Sequence, residues 1–179
     1  MATQTVHERA GAITFKGGPM TLLGSELKVG DAAPALHLTA GDLSVKTLDD
    51  LLANGAAMFI AVPSLDTGVC SLESQKFNAR LGELPDGVNA YVVSMDLPFA
   101  QARWCGAQSE SVKLQMLSDY RDHSFGRNYG LLIKELGLLA RAIVVVGKDK
   151  RVGYVQLVTE TTNEPDYDAA LAAAKAAAA

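Results

Sequence analysis

Two cysteines, Cys70 and Cys105, are the side chains in this sequence with the widest chemical reach. A thiolate can attack an electrophile, climb the oxidation ladder, hold a metal or close a disulfide. Metal binding needs more ligands at regular spacing, and the only histidines are His7, His37 and His123, scattered and far in sequence from either cysteine. A cysteine hydrolase would need one of those histidines beside Cys70, and their sequence contexts carry no hydrolase signature. In a reducing compartment, two cysteines so far apart are more often catalytic or inert than a structural staple. Their surroundings have to decide.

The stretch Val62-Pro63-Ser64-Leu65-Asp66-Thr67-Gly68-Val69-Cys70 starts at the end of an expected central strand and finishes inside an expected helix, where α/β folds place their sites. Cys70, Phe77 and Leu81 are spaced i, i+7 and i+11, so a helix begun near Thr67 carries all three on one face. With Thr67 as N-cap, Cys70 is the third helical residue. Its sulfur then lies among backbone N–H groups that lack carbonyl partners, at the positive end of the helix dipole, which favours a thiolate. A lone cysteine at such a place is also often just a small buried hydrophobe, and position alone leaves that reading standing.

The elements that must hold these residues are legible in outline. Three nearly continuous apolar runs, 57–62, 90–95 and 142–146, have strand length and suit strands covered on both faces. The last is expected to pair with 152–158 across the polar connection 147–151. Helices are expected over Val69 to Leu81, after Pro98, and near Asp166, where an Ala-rich closing helix runs over about 166–177. Leu36-His37-Leu38 and Leu43-Ser44-Val45 suggest edge strands, and the Leu48, Leu51, Leu52 cluster a short helix. Near the start, Ile13-Thr14-Phe15-Lys16 and Met20-Thr21-Leu22-Leu23 flank Gly17-Gly18-Pro19, a hairpin over about 13–23. Strands and helices alternating in this way indicate an α/β sandwich.

At 179 residues, 49% hydrophobic, the chain can bury a core without a disulfide scaffold. No repeat or linker divides it, so one domain over 1–179 is expected. Sixteen basic residues against 20 acidic ones, with no basic run, argue against nucleic acid as a partner. The first thirty residues lack the apolar stretch of a signal peptide, and the longest apolar run, Ala56 to Pro63, is too short for a bilayer. The expectation is a soluble cytoplasmic protein that does not engage a membrane.

Beyond Pro63-x-x-x-Thr67-x-x-Cys70, the full string Pro-Ser-Leu-Asp-Thr-Gly-Val-Cys and the following Lys76-Phe77-Asn78 closely resemble the thiol peroxidase branch of the peroxiredoxins. Asp96-Leu97-Pro98-Phe99-Ala100-Gln101-Ala102-Arg103-Trp104-Cys105-Gly106-Ala107 resembles the segment that carries this branch's resolving cysteine. Leu139-Ala140-Arg141-Ala142 resembles its arginine segment, and Thr162-Asn163-Glu164-Pro165-Asp166-Tyr167 its ending. The resemblance runs from about residue 13 to the mid-170s. It departs in a few extra N-terminal residues, in Trp104 where Phe is usual, and in the Ala-rich tail.

The resemblance implies a thioredoxin-like α/β sandwich, with a central mixed sheet flanked by helices and an N-terminal β-hairpin. It implies that Cys70 attacks a hydroperoxide and becomes a sulfenic acid, and that Cys105 closes an intrachain disulfide onto it, with no cofactor and no metal. By the same carry-over, Thr67 and Arg141 stabilise the transition state and Pro63 shields the sulfur from water. Leu65, Val69 and Phe99 are candidates to meet an alkyl group on the substrate. Thioredoxin is the implied reductant and a homodimer the implied assembly. Two thiols on separate helices start too far apart for a disulfide, so local unwinding around both is expected. The competing reading is a thioredoxin-fold redox switch that uses the same pair without sustained turnover.

Overall fold

The computed structural model describes residues 7–178. Along the chain run β1 (Glu8–Phe15), β2 (Gly18–Leu23), β3 (His37–Ala40), β4 (Val45–Thr47), α1 (Leu48–Leu52), β5 (Ala56–Ala61) and α2 (Gly68–Arg80). After a 3-10 turn at Leu81–Glu83 follow β6 (Val88–Ser94), α3 (Pro98–Gly106), β7 (Gln115–Ser118), α4 (Ser124–Asn128), β8 (Leu132–Ile133), β9 (Leu138–Leu139), β10 (Ala142–Val146), β11 (Val152–Leu157) and α5 (Tyr167–Ala176).

Seven strands make one mixed sheet in the order β11-β10-β5-β6-β7-β3-β4. The β5–β6 and β6–β7 pairs are parallel and the others antiparallel. The apolar runs are continuous because both faces of these strands are covered. Along β5 and beyond it, Ala57, Phe59 and Ala61 enter one core layer while Met58, Ile60 and Val62 enter the other. The first layer takes Leu48, Leu51 and Leu52 of α1 and Phe125 of α4. The second takes Cys70 and Phe77 of α2, Trp104 of α3 and Leu171 of α5, and Cys105 packs against it. Both cysteines therefore belong to one side of the sheet.

Gly55 fixes where β5 begins. Its φ is +132°, and a Cβ there would fall 2.0 Å from Gly87 O, whose carbonyl instead accepts the Ala56 N–H at 2.8 Å. That contact sets β5 and β6 in step, so their carboxyl ends open together at Val62-Pro63 and Met95-Asp96.

The hairpin is longer than expected and turns elsewhere. It begins at Glu8, with a register shift between Arg9 and Ile13 around Gly11 at φ +67°. The turn residues are Lys16 and Gly17, both at positive φ, rather than Gly17-Gly18-Pro19. Two such residues make the turn whose twist matches the flanking strands. β2 continues into β8 and β9 as a separate four-stranded sheet. Among the described residues no helix is long and apolar enough to cross a membrane.

Candidate active site

The chain leaves β5 at Ala61, passes through buried Val62 and Pro63, and turns into α2 at Thr67. Asp96, just past β6, shapes that turn. Its carboxylate accepts the Ser64 hydroxyl at 2.7 Å, the Leu65 N–H at 2.7 Å and the Ser94 hydroxyl at 2.8 Å. Thr67 occupies the N-cap position with extended backbone, φ −100° and ψ 145°, which places Cys70 third in the helix. The first helical bond that reaches back runs from Ser71 N–H to Thr67 C=O, 3.0 Å. The N–H groups of Gly68, Val69 and Cys70 are thus left over at the helix start.

The Thr67 side chain does not cap the helix. Its hydroxyl oxygen lies 2.7 Å from Cys70 Sγ and 3.1 Å from Ser64 O. With one proton, it serves the two in turn. Facing a thiol it gives the proton to Ser64 and accepts from S–H; facing a thiolate it donates to sulfur.

Cys70 is fully buried, and so is Arg141, which is 2% exposed. Arg141 reaches the site from the residue preceding β10. Its Nη2 donates to Cys70 Sγ at 3.3 Å, its Nε donates to Thr161 O at 3.1 Å, and its Nη1 is bonded to Glu73 Oε2. Burial alone would depress the pKa of the guanidinium, but the Glu73 carboxylate and the Cys70 sulfur raise it, and the net direction is upward. Arg141 is a fixed cation within contact distance of the sulfur.

Glu73 is on the same helix as Cys70, one turn on, and is fully buried. Burial drives its carboxyl above the usual carboxylate range, against the pull of Arg141. Among the described residues its second oxygen, Oε1, has no partner. The sequence reading did not single out Glu73 or Asp96. A carboxylate one turn past Cys70 is the signal that was present for the first; Asp96 opens the segment that leads to Cys105, but only the fold shows it reaching Ser64 and Leu65.

Cys105 sits near the end of α3 and is half-buried, and both cysteines are free. Burial pushes the Cys105 thiol up, which keeps it protonated in the closed helix. Of the three residues named for a substrate's alkyl group, Val69 is half-buried beside Cys70 and Phe99 is 67% exposed at the start of α3. Leu65 is 2% exposed and packs into the core layer beneath, so it supports the loop and presents almost no surface. No histidine bonds Cys70 among the described residues; His37 and His123 lie around β3 and the start of α4, where His37 Nδ1 is 3.6 Å from Asp122.

A buried sulfur with a hydroxyl and a guanidinium on it, at a helix start with free N–H groups, is built to hold negative charge and pass it to an oxygen bound alongside.

The Redoxin family matches residues 28–171. The chain is 54% identical over 167 residues to a thiol peroxidase of Halalkalibacterium halodurans, covering 93% of this chain and 98% of the relative. It is 50% identical over 165 residues to a thiol peroxidase of Bacillus subtilis, covering 92% and 96%. Among solved structures it is similar to a peroxiredoxin-like protein of Aquifex aeolicus, with a TM-score of 0.83 and 40% identity, covering 96% of this chain and 99% of that one.

Proposed function

This chain belongs to the Redoxin family, in the thiol peroxidase branch of the peroxiredoxins, and we propose that its thiol-dependent peroxidase activity runs through Cys70 as attacking thiolate and Cys105 as resolving thiol. The observation that carries the assignment is the Cys70 sulfur held between the Thr67 hydroxyl at 2.7 Å and the Arg141 guanidinium at 3.3 Å.

The thiolate attacks one peroxide oxygen and the O–O bond breaks. Charge moves from sulfur to the leaving oxygen, which takes a proton from solvent and departs as water or an alcohol, and the sulfur keeps a hydroxyl as a sulfenic acid. Thr67 and Arg141 are already oriented where that charge travels, together with the free N–H groups of Val69 and Cys70. Donors already fixed in place stabilise such a charge more than water does, because they need no reorganisation as it moves. Pro63, buried directly after Val62, keeps solvent off this side of the loop. Val69 and Phe99 offer apolar surface to an organic hydroperoxide.

The Cys105 thiol then displaces the hydroxyl from the Cys70 sulfur, releasing water and forming the disulfide. Opening of α3 lifts the burial that keeps Cys105 protonated, so the motion that brings the residues together also eases its ionisation. A dithiol reductant of the thioredoxin type restores both thiols. The same reading takes the protein as a cytoplasmic homodimer.

Peroxide consumption coupled to thioredoxin, thioredoxin reductase and NADPH tests the scheme. Turnover is expected in the parent, none in Cys70→Ser, and a single oxidation without recycling in Cys105→Ser. Undiminished turnover in Cys70→Ser would sink the assignment. A parent that is oxidised once and never recycled would favour the redox switch.

A further inference from the structure

Five polar contacts tie the stretch around Cys70 to the stretch around Cys105, and the chemistry above uses none of them. Arg103 Nη2 meets Asp66 Oδ2 at 3.2 Å, and the Trp104 indole N–H donates to Ser71 Oγ at 3.0 Å. Gln75 Nε2 donates to Gln108 Oε1 at 2.7 Å. Asn78 donates to Ser111 O at 3.0 Å and accepts the Lys113 N–H at 2.7 Å. Ser71, Gln75 and Asn78 fall at i, i+4 and i+7, a single stripe of α2 facing α3 and the segment after it. A cleft of about 290 Å³ runs beside them, lined in part by Leu72, Gln75, Trp104 and Gln108. Apolar packing therefore does not close the seam along its whole length, and the polar rungs carry a larger share.

The rungs are unequal. Asp66 and Arg103 are 62% and 70% exposed, and an ion pair that open to water contributes little. The Gln75 side chain is exposed too, with water as a ready substitute, and Asn78 is half-buried but bonds backbone at Ser111 and Lys113, farther in sequence from both cysteines. Trp104 is 7% exposed, so its N–H depends on Ser71. The position of this rung is also distinctive: Ser71 directly follows Cys70, and Trp104 directly precedes Cys105.

We propose that the Ser71–Trp104 hydrogen bond is a latch that sets how long Cys70 and Cys105 stay apart once the sulfur is oxidised, and so divides the sulfenic acid between disulfide and further oxidation. This rests on the reading of Cys70 as the attacking and Cys105 as the resolving residue. Two reactions compete for the sulfenic acid. In one, the Cys105 sulfur displaces the hydroxyl, the S–S bond forms, and the hydroxyl leaves as water with the Cys105 proton. In the other, a second hydroperoxide gives an oxygen to the sulfur; its O–O bond breaks, it is reduced to the alcohol, and the sulfur is oxidised by two electrons to a sulfinic acid.

The first reaction needs Cα atoms roughly 4.4–6.8 Å apart, which two cysteines in separate intact helices reach only by local opening. The rung that flanks both must break in that opening. Its strength enters the rate of disulfide formation, and it has no part in the first attack on peroxide.

Reduced parent, Ser71→Ala, Trp104→Phe and the double variant are mixed with cumene hydroperoxide and quenched with an alkylating reagent, and the Cys70 species are counted by mass spectrometry. Ser71→Ala keeps a good helix former, and Trp104→Phe keeps a ring while removing the N–H. Each single variant is expected to form the disulfide roughly 2- to 10-fold faster, the worth of one net hydrogen bond. The double variant should be no faster than the singles, sulfenic acid should form at the parent rate, and the sulfinic fraction should fall by the same factor at peroxide concentrations where it is the minor product. Trp104 is the only tryptophan, so its fluorescence follows the same step in the parent and in Ser71→Ala. Unchanged disulfide rates in both single variants would overturn the latch, as would single effects that multiply in the double variant. A parent that forms no Cys70–Cys105 disulfide would overturn the underlying assignment, and the latch with it.

Discussion

The Thr67 hydroxyl lies 2.7 Å from the Cys70 sulfur, one helical turn away, while making no bond to a backbone N–H of the helix it begins. A threonine at a helix start ordinarily stabilises the fold by capping; this one is turned toward the reacting atom.

Capping and catalysis are therefore separable at Thr67. Thr67→Val should lower kcat/KM for hydroperoxide by roughly tenfold to a hundredfold, the worth of a hydrogen bond to a charged group. Thr67→Ser should keep most of the rate. Thermal unfolding should barely move in either variant, because no capping bond is lost. A large drop in stability with an unchanged rate would reverse the assignment.

Arg141 and Glu73 should behave as one unit. Removing a single partner of a buried ion pair strands the other, at a cost of about 3–5 kcal/mol. Glu73→Ala should lose that much in urea denaturation and also lose peroxidase rate, because the Thr161 carbonyl is then the one anchor left to Arg141 apart from the reacting sulfur itself. Glu73→Gln, which can still accept from Nη1, should recover most of the rate. Equal loss in the two variants would show that charge rather than placement matters.

Asp119 gives a pH dependence remote from the sulfur. It is fully buried and accepts the N–H groups of Phe125 at 3.0 Å and Gly126 at 2.7 Å. Burial pushes its carboxyl up from 3.8 to about 6, against the pull of those two bonds. The folded state thus holds the proton longer than the unfolded chain does. The group's contribution is whole below the unfolded value and is lost as pH rises through about 6. Asp119→Asn cannot titrate, so relative to the parent it should gain about 3 kcal/mol between pH ~3.5 and ~7. Urea midpoints measured at intervals across that window check it, and a constant gap would refute it.

Glu160 binds the hairpin to the segment that holds Arg141. It accepts the Thr14 hydroxyl, the N–H groups of Lys16 and Gly17, and the Thr162 hydroxyl, and the Thr162 and Thr14 bonds hold its carboxyl down to about 2. The neighbouring Thr161 carbonyl is the one that Arg141 Nε contacts. Glu160→Gln should speed amide exchange at residues 14–17 and lower peroxidase efficiency a few-fold. Because the folded carboxyl titrates below the unfolded one, its contribution should persist through neutral pH and disappear as pH falls through about 2.

The central strands were legible because their burial on both faces leaves unbroken apolar runs, and α2 because Cys70, Phe77 and Leu81 recur at helical spacing. Thr67 as N-cap followed from the same spacing. The stretch from Gln115 to Leu139 was not legible. β8 and β9 have two residues each, too short for any period, and α4 is one turn held by Asp119 and by stacking of Phe125 on Tyr129 at 4.6 Å. Arg141 could be singled out by resemblance, but its burial could not, since a guanidinium before a strand usually faces water. The pairing of Ser71 with Trp104 spans 33 positions and has no local signature.

The hairpin of β1 and β2 leads the described chain, yet its partners come late. It pairs with Leu132 and Ile133, and Thr14 meets Thr159 across 145 positions. On a ribosome adding about 5–20 residues per second, the hairpin would emerge roughly 6 to 22 s before the strand that receives it. Through that interval it is a strand pair without a sheet, and Leu22, fully covered in the finished fold, lacks Ile133 and Ala140, which share its cluster there. Synthesis therefore has a built-in waiting period between the hairpin and β8, during which a chaperone or a neighbouring nascent chain has the first opportunity to bind this edge.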